Sequence, residues 1–253
     1  MKSYYNEIDP YAAQWLRNLI DAGHIAPGVV DERSIEDITP NELIGYTQCH
    51  FFAGLGGWSL ALRLAGWPDS RPVWTGSCPC QPFSVAGSRT GIDDKRHLWP
   101  AWFHLIRERK PSVIFGEQVA NAIGHGWLDG VGGDLEGRDY AIGAAVLSAS
   151  AEDAPHRRDR LWFVADSEWN KQSRKESRSW PDRRVGGQQQ LLPWEGGWQR
   201  ALARFRALDH GIPRCVEATD AARNAIVPQI AAAFIESYVA ARCIQFDVTE
   251  QVA

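Results

Sequence analysis

The sequence predicts an α/β protein built on a largely parallel sheet that helices cover on both faces. Helical apolar patterns alternate along the chain with short apolar runs that are typical of buried strands. Several of these runs end in an acidic residue, at the edge where such sheets bind ligands. The 253 residues are enough for one large domain, or for one domain with a small appendage.

Four strands are predicted in the first third of the chain, over residues 4–8, 26–31, 49–53 and 73–78. A helix over residues 10–22 has proline in its first turn, and Thr39 caps a brief helix. The third strand runs into glycines at residues 54–57, and a helix over residues 58–65 follows. Glycines at such a turn let a nucleotide-like ligand approach the backbone, although one glycine-rich turn is a weak indication.

The remaining elements continue the alternation. A helix over residues 98–109 precedes three strands, over residues 112–115, 140–148 and 161–165. Glu117 closely follows the first of these strands. Near the end of the chain, Ile230, Phe234 and Tyr238 lie four residues apart and predict one stripe of a helix.

A change of composition after Ser167 predicts a small insert or an ordered loop region, polar and rich in Gly, Gln, Arg and Trp, over residues 168–214. Between residues 169 and 190, six basic residues stand against two acidic ones, although the net charge of the whole chain is −4. Such a patch would focus a polyanion onto one face, whereas a solvated, partly disordered loop would have the same composition.

The overall composition is that of a globular protein, with 44% hydrophobic and 23% charged residues. No run of about 18 apolar residues occurs, and the amino terminus lacks the apolar core of a signal peptide, so we expect an intracellular protein. Five cysteines without a pairing pattern fit a reducing compartment, and their spacing predicts no zinc site. The twelve tryptophans either cover a surface that meets a flat ligand or fill the core.

The most informative segment is residues 79–84, Pro-Cys-Gln-Pro-Phe-Ser, because it places Cys80 in a proline-flanked turn after a predicted buried strand. A thiolate at the carboxyl end of a strand can attack a substrate that lies in the crevice. The other interpretation is an incidental buried cysteine. Acidic residues follow the neighbouring strands, where carboxylates can accept hydrogen bonds from ribose hydroxyls or an adenine amine.

Six segments in chain order resemble motifs of the DNA cytosine-5 methyltransferases: residues 52–57, 79–84, 94–99, 115–119, 156–160 and 223–229. The first is similar to the S-adenosylmethionine loop of that family and the second to its nucleophile loop. The resemblance implies a Rossmann-like methyltransferase sheet that binds S-adenosyl-L-methionine and duplex DNA. It also implies a monomer without metal or membrane partners, in the cytoplasm of a bacterial or phage-infected cell.

The order of the motifs at the front of the chain is unusual for this family. Only 22 residues, 58–79, separate the glycine loop from Cys80, which is too few for the two strand-helix units that the family has there. Residues 6–12 resemble the ribose-binding motif, and residues 30–35 resemble the adenine-binding motif. We therefore expect a reordered sheet in which the family's second and third strands precede its first strand in the chain.

The resemblance assigns roles to three groups of residues. Twelve are expected to bind the cofactor: Phe52, Gly54, Gly56, Gly57, Glu7, Ile8, Asp31, Glu32, Pro79, Leu98, Asn224 and Ala225. Nine are expected to contact DNA: Gln81, Ser84, Arg89, Arg96, Arg174, Lys175, Arg178, Arg183 and Arg184. Residues 1–167 are then the catalytic domain, residues 168–214 a short target-recognition insert, and residues 215–253 a segment that completes the catalytic domain.

The chemistry of that family assigns the catalytic group. Cys80 adds to carbon 6 of a cytosine rotated out of the duplex, so that carbon 5 can attack a sulfonium methyl group. Glu117 binds the ring nitrogen N3 and the exocyclic amine. Arg160 holds the base carbonyl, and Arg158 supports the loop or a phosphate.

Three departures from the family pattern leave alternatives open: Gln118 stands in place of Asn, His156 in place of Gln and Arg223 in place of Gly. Arg223 either points to solvent, disturbs cofactor binding, or accepts an anionic cofactor such as carboxy-S-adenosylmethionine. An active DNA methyltransferase is the leading interpretation. A relative that binds DNA or cofactor without turnover, and an RNA cytosine methyltransferase, are the alternatives.

Overall fold

A computed structural model of the protein describes residues 2–79, 98–148, 159–169 and 225–250. Its seven described strands are β1 Ser3–Asn6, β2 Gly28–Asp31, β3 Gln48–Phe51, β4 Val73–Gly76, β5 Val113–Val119, β6 Ala141–Ser148 and β7 Asp159–Asp166. Its described α-helices are α1 Pro10–Asp21, α2 Gly57–Leu64, α3 Trp99–Arg109, α4 Trp127–Glu136 and α5 Pro228–Glu250. Three 3-10 segments complete this part of the chain, Ile35–Asp37, Pro40–Leu43 and Ala120–His125.

The strands form one mixed sheet in the order β2-β1-β3-β4-β5-β7-β6. The first five strands are parallel, while β7 runs antiparallel to both β5 and β6. In this register Asn6 lies beside Asp31 and beside Phe51, Phe51 lies beside Gly76, and Gly76 beside Gly116. The carboxyl ends of the five parallel strands therefore form one row, and the residues that follow them emerge along a single edge.

The strand order places the first two strands of the chain outside the third. β1 lies between β2 and β3, so the strand that runs into the glycine loop is flanked by β1 and β4. Such an order is possible because parallel neighbours are joined by crossovers and need not be consecutive in the chain. The predicted α/β sheet is confirmed, and the assignment of β1 and β2 to ribose and adenine stays a prediction.

Helices pack on both faces of the sheet. On one face, α3 and α4 bury Trp102, Leu105 and Leu135 against strand residues such as Phe163. On the other face, α2 and α5 bury a second cluster that includes Phe115 and Phe234, and α1 packs beside it through Leu16. Burial on both faces is the arrangement that largely parallel sheets require.

Core packing explains seven of the twelve tryptophans: Trp58, Trp67, Trp74, Trp99, Trp102, Trp127 and Trp162 are buried. Of the two interpretations that the sequence left open for the tryptophans, core filling therefore applies to these seven. Several of them pack against one another at angles typical of aromatic pairs, as Trp99 does against Trp102 and Trp127.

The structure corrects several of the predicted elements. β5 extends to Val119, so Glu117, which was expected to follow the strand, lies within it. β1 ends at Asn6, so Glu7 and Ile8 belong to the loop after the strand. Helix α4 was not predicted, because three glycines within it indicate a turn. Packing of Trp127, Val131 and Leu135 at a spacing of four residues stabilises it in the folded protein. None of the helices in the described ranges has the length and apolarity that a membrane crossing requires.

Candidate active site

The glycine loop after β3 has a backbone shape that few other residues would allow. Gly56 has a φ of 80° and immediately precedes α2. A Cβ atom on Gly57 would lie 2.6 Å from Cγ1 of Ile226, so the start of α2 is in close contact with the segment before α5. Phe52 at the beginning of the loop also has a positive φ, of 51°, which is costly for a residue with a side chain.

Glu7 joins the end of β1 to this loop. Its Oε2 accepts a hydrogen bond of 2.6 Å from the backbone N–H of Gly54, and its Oε1 accepts one of 2.9 Å from Asp9 N–H. A carboxylate offers about four lone-pair positions, so two donors leave room for two more. Ile8 beside it is 65% exposed, an unusual state for an isoleucine.

Asp31 at the end of β2 is held by many more donors. Arg33 donates to it from the backbone and from the guanidinium, and the Tyr4 hydroxyl donates to Oδ2 at 2.8 Å. The Arg33 hydrogen bonds are the main reason why the pKa of the Asp31 carboxyl is lowered to about 2. The next residue, Glu32, forms an ion pair of 2.6 Å with Arg17 of α1.

A buried ion pair lies at the end of β5. Arg160 Nε of β7 is 2.8 Å from Glu117 Oε1, and the two side chains are 24% and 8% exposed. The antiparallel register brings them together, because it sets Val119 opposite Arg160 and Glu117 opposite Trp162. The two residues are 43 positions apart in the chain, so the fold, and not local sequence, creates this pair.

A small pocket adjoins this pair. Its lining joins the Glu117 and Arg160 side chains to apolar residues of β6, of β7, of the segment before α5 and of α5 itself: Leu147, Trp162, Ile226, Val227 and Ile230. A charged pair at an apolar wall is a suitable environment for a flat, polar ring.

Gln118 ties β5 to the segment that leads towards Cys80. Its Nε2 donates to the Cys78 carbonyl at 3.4 Å, and its Oε1 accepts from the Val119 N–H at 2.9 Å. The side chain is buried, so both contacts are shielded from water. The Cys78 thiol is buried in the core, and this burial raises its pKa, which disfavours the thiolate that a nucleophile needs.

Many of the predicted site residues lie outside the described residues. Of the catalytic group these are Cys80 and Arg158, and of the cofactor group Asn224. All nine predicted DNA contacts also lie there: Gln81, Ser84, Arg89, Arg96, Arg174, Lys175, Arg178, Arg183 and Arg184. The departures His156 and Arg223 are in the same part of the chain.

Some described residues of the predicted cofactor group lie together around the glycine loop, and others lie apart from it. Glu7 and Gly54 are in contact, and Gly57 meets Ile226, the residue after Ala225. Pro79 is exposed, whereas Leu98 precedes α3 and packs against the core. In the ranges that the structure describes, no group of three or more His, Cys, Asp or Glu side chains could hold a metal ion.

Sequence reasoning assigned no function to two residues of this edge, Tyr4 and Arg33. Both contact Asp31 directly. Tyr4 was read as part of an apolar strand, and nothing in its pattern indicates that its hydroxyl reaches a carboxylate on the neighbouring strand. Arg33 follows Asp31 by two residues, a spacing that could have suggested the contact.

The chain resembles known proteins in the region that carries this site. Residues 67–196, just over half of the chain, match the family of C-5 cytosine-specific DNA methylases. The protein belongs to this family. The match begins before β4 and extends beyond β7, so it includes the Glu117–Arg160 pair and Cys80.

Among curated relatives, the Type II methyltransferase M.HhaI of Haemophilus parahaemolyticus is 29% identical over 168 residues, which cover 51% of each chain. The Type II methyltransferase M.Bsp6I of Bacillus sp. (strain RFL6) is 37% identical over 109 residues, 41% of this chain and 34% of that protein. The chain thus spans about half the length, or less, of these relatives. A crystal structure of a Spodoptera frugiperda DNMT2 mutant is similar at a TM-score of 0.44 and 16% identity, over 73% of this chain and 45% of the other.

Proposed function

We propose that the protein transfers a methyl group from S-adenosyl-L-methionine to carbon 5 of a cytosine in duplex DNA. The observation that carries the proposal is the Glu117–Arg160 pair, which is buried at the carboxyl end of β5 beside a small pocket. The chain belongs to a family of cytosine methylases, and the segment after β4 leads directly to Cys80.

The pair has the groups that one edge of cytosine needs. That edge presents a carbonyl oxygen, a ring nitrogen and an exocyclic amine side by side. Arg160 can donate to the carbonyl oxygen, while Glu117 accepts from the amine and, when protonated, donates to the ring nitrogen. The two side chains already lie 2.8 Å apart. When a base separates them, each side chain therefore exchanges its present partner for a group of the base.

Cys80 supplies the nucleophile. Its thiolate forms a bond to carbon 6, and the electron pair of the carbon 5–carbon 6 double bond forms a double bond between carbons 4 and 5. The electron pair of the carbon 4–N3 double bond moves onto N3, which takes a proton from Glu117. The enamine that results makes carbon 5 nucleophilic. Bound S-adenosyl-L-methionine would supply an electrophilic methyl group to carbon 5. The sulfur–methyl bond breaks, its electron pair stays on the sulfur, and S-adenosylhomocysteine leaves. Loss of the proton from carbon 5 then restores the double bond and expels the Cys80 thiolate. The proposal assigns this role to Cys80 and not to Cys78, whose buried thiol is unfavourable for ionisation.

The glycine loop and Glu7 fit the cofactor. The two lone-pair positions that remain on the Glu7 carboxylate match the two hydroxyls of a ribose. Ile8 offers an exposed apolar side chain to the flat face of an adenine. The backbone of the glycine loop would hold the amino-acid part of the molecule next to the beginning of α2.

Duplex DNA enters the proposal through the chemistry of the target atom. A base inside a duplex cannot be reached by a thiol, so the cytosine must be rotated out into the pocket. The basic residues of the polar stretch after β7 have the charge to bind phosphates, and its Arg and Gln side chains suit the base edges of the major groove.

Bisulfite sequencing tests the activity directly. Plasmid DNA from cells that express the protein should contain one short motif whose cytosine is protected from conversion. Cys80→Ser should abolish this protection, while Cys49→Ala, which removes a buried thiol from the middle of β3, should retain it.

A covalent trap tests the mechanism. A duplex that contains the protected motif with 5-fluorocytosine at the target position should become cross-linked to the protein in the presence of S-adenosyl-L-methionine, because fluorine cannot leave as a proton does. A protein that binds this duplex without becoming cross-linked would refute the covalent mechanism.

A further inference from the structure

The Asp31 carboxylate at the end of β2 has no unused acceptor position. Oδ1 accepts from Arg33 N–H at 3.0 Å and from Arg33 Nε at 3.1 Å. Oδ2 accepts from Arg33 Nη2 at 2.7 Å and from the Tyr4 hydroxyl at 2.8 Å. These four donors equal the about four lone-pair positions that a carboxylate offers. Glu7, one strand away, accepts only two hydrogen bonds from described residues.

Arg33 has a second acidic partner already in place. Its Nη2 also donates to Glu42 Oε1 at 2.9 Å. The other oxygen of Glu42 accepts from the backbone and the hydroxyl of Thr39, both at 2.8 Å, which fixes the carboxylate at the start of the 3-10 segment. The guanidinium could therefore leave Asp31 and keep an ion pair.

The side chains of Arg33 and of its two acidic partners differ in their exposure to water. The Arg33 side chain is 47% exposed and the Glu42 side chain 42%, whereas that of Asp31 is only 16% exposed. An exposed ion pair contributes little to stability, because water and salt screen it and because ordering long side chains costs entropy. A ligand group that replaces Arg33 at Asp31 would therefore displace a guanidinium that is half exposed and that keeps its ion pair with Glu42.

We propose that Arg33 competes with the adenine amine of the cofactor for the Asp31 carboxylate, and so sets both the affinity and the base selectivity of the cofactor site. The proposal rests on the function proposed above. An adenine amine can reach Asp31 only when the guanidinium turns to Glu42. A base with a carbonyl in place of the amine needs a donor, and Arg33 at Asp31 provides one. Arg33 thus weakens the binding of a cofactor whose base carries the amine, and it allows the binding of one whose base carries a carbonyl at that position.

Calorimetry with two ligands tests this competition. S-adenosylhomocysteine carries the amine, and S-inosylhomocysteine has a carbonyl at the same ring position. Arg33→Ala should bind S-adenosylhomocysteine up to about fivefold more tightly than the unchanged protein, the gain expected when an exposed ion pair need not be broken. The same variant should bind S-inosylhomocysteine more weakly, because it lacks the Arg33 guanidinium that would donate to the carbonyl. The ratio of the affinity for S-adenosylhomocysteine to that for S-inosylhomocysteine should therefore rise, by at least about twofold.

Two further variants make the result specific. Arg107→Ala removes an arginine of similar exposure that pairs with Glu108 in α3, and it should leave the ratio unchanged. Arg33→Gln retains one donor group, and it should shift the ratio in the same direction as Arg33→Ala if the alanine variant is poorly folded.

The outcomes separate the two proposals. If the unchanged protein binds neither ligand, the cofactor assignment fails and the competition fails with it. If it binds S-adenosylhomocysteine but both Arg33 variants weaken the two ligands equally, or change neither, the cofactor assignment stands and Arg33 has only a structural role.

Discussion

The two halves of the sheet edge hold their charged side chains in different ways. In the half formed by β4, β5 and β7, Glu117 and Arg160 form one ion pair with little exposure to water. In the half formed by β2, β1 and β3, Arg33 is shared between Asp31 and Glu42 and is 47% exposed. The Glu117–Arg160 pair joins distant parts of the chain. Arg33, in contrast, is only two positions from Asp31 and nine positions from Glu42.

This difference suits the two tasks that we propose. Breaking a buried pair by removing one partner leaves an uncompensated charge, so such a pair keeps its geometry. A reacting base needs fixed groups, because misplaced ones slow the chemistry. An exposed pair is easily exchanged, which suits a site that must bind a cofactor and release its product. The comparison predicts that changes in the first half mainly affect the reaction, and changes in the second half mainly affect binding.

Glu117→Gln should give the largest effect. The substitution keeps the size of the side chain and removes the group that can gain and lose a proton. General acid–base groups contribute about 10²–10⁴-fold, so the rate of methyl transfer to DNA should fall by at least about 100-fold. The rate is measured with radiolabelled S-adenosyl-L-methionine, and calorimetry should show the affinity for S-adenosylhomocysteine unchanged within about twofold.

Glu108→Gln is the matched control for this prediction. Glu108 lies near the end of α3, before β5 begins, and forms an exposed ion pair with Arg107. It should retain the full rate. A Glu117→Gln protein that keeps more than about a tenth of the rate would contradict the catalytic role of the carboxyl.

Gln118→Leu should give an intermediate effect, on stability as well as on rate. The leucine leaves the Cys78 carbonyl without its side-chain donor in a buried position. An unsatisfied buried polar group costs about 1–3 kcal/mol, so the free energy of unfolding should fall by about that amount in urea titrations. The rate of methyl transfer should also fall, since the segment before Cys80 loses a link to β5.

Gln14→Leu is the control for the stability measurement. Gln14 is exposed on α1 and donates to Asn18 at 3.0 Å, so its loss should change the free energy of unfolding by less than about 0.5 kcal/mol. Equal effects of the two substitutions would show that Gln118 has no special link to the nucleophile segment.

The sheet was predictable because its signals are local. Short apolar runs that end in acids predict parallel strands, and the spacing of Ile230, Phe234 and Tyr238 predicts a stripe of α5 that is buried in the structure. Helix α4 escaped prediction because it is stabilised by contacts with distant strands, against the propensity of its glycines. The antiparallel direction of β7 also depends on contacts beyond the local sequence.

The site was predictable only as far as motifs identify residue types. Glu117 and Arg160 were expected to act on the same ring, and the structure brings them to 2.8 Å. The saturation of Asp31 could not be predicted, because one of its donors, the Tyr4 hydroxyl, comes from the neighbouring strand. A motif identifies which carboxylate to consider. The number of acceptor positions that remain free on that carboxylate depends on every donor that the fold places around it.

Asp31→Asn should give the smallest effect, on the acid stability of the exposed half. The hydrogen bonds from Arg33 lower the pKa of this carboxyl to about 2, below its ordinary value of 3.8. A lowered pKa in the folded state means that ionised Asp31 stabilises the fold above about pH 4, and that this contribution is lost as the pH falls towards 2. Urea midpoints of the unchanged protein and of Asp31→Asn should therefore differ at pH 6 and converge towards pH 2.

Asp21→Asn, at the exposed end of α1, is the control, and its difference from the unchanged protein should not follow this course. If the difference between Asp31→Asn and the unchanged protein is constant from pH 6 to pH 2, the Arg33 contacts do not hold the carboxyl in its charged form, and the contrast between the two halves of the edge loses its electrostatic basis.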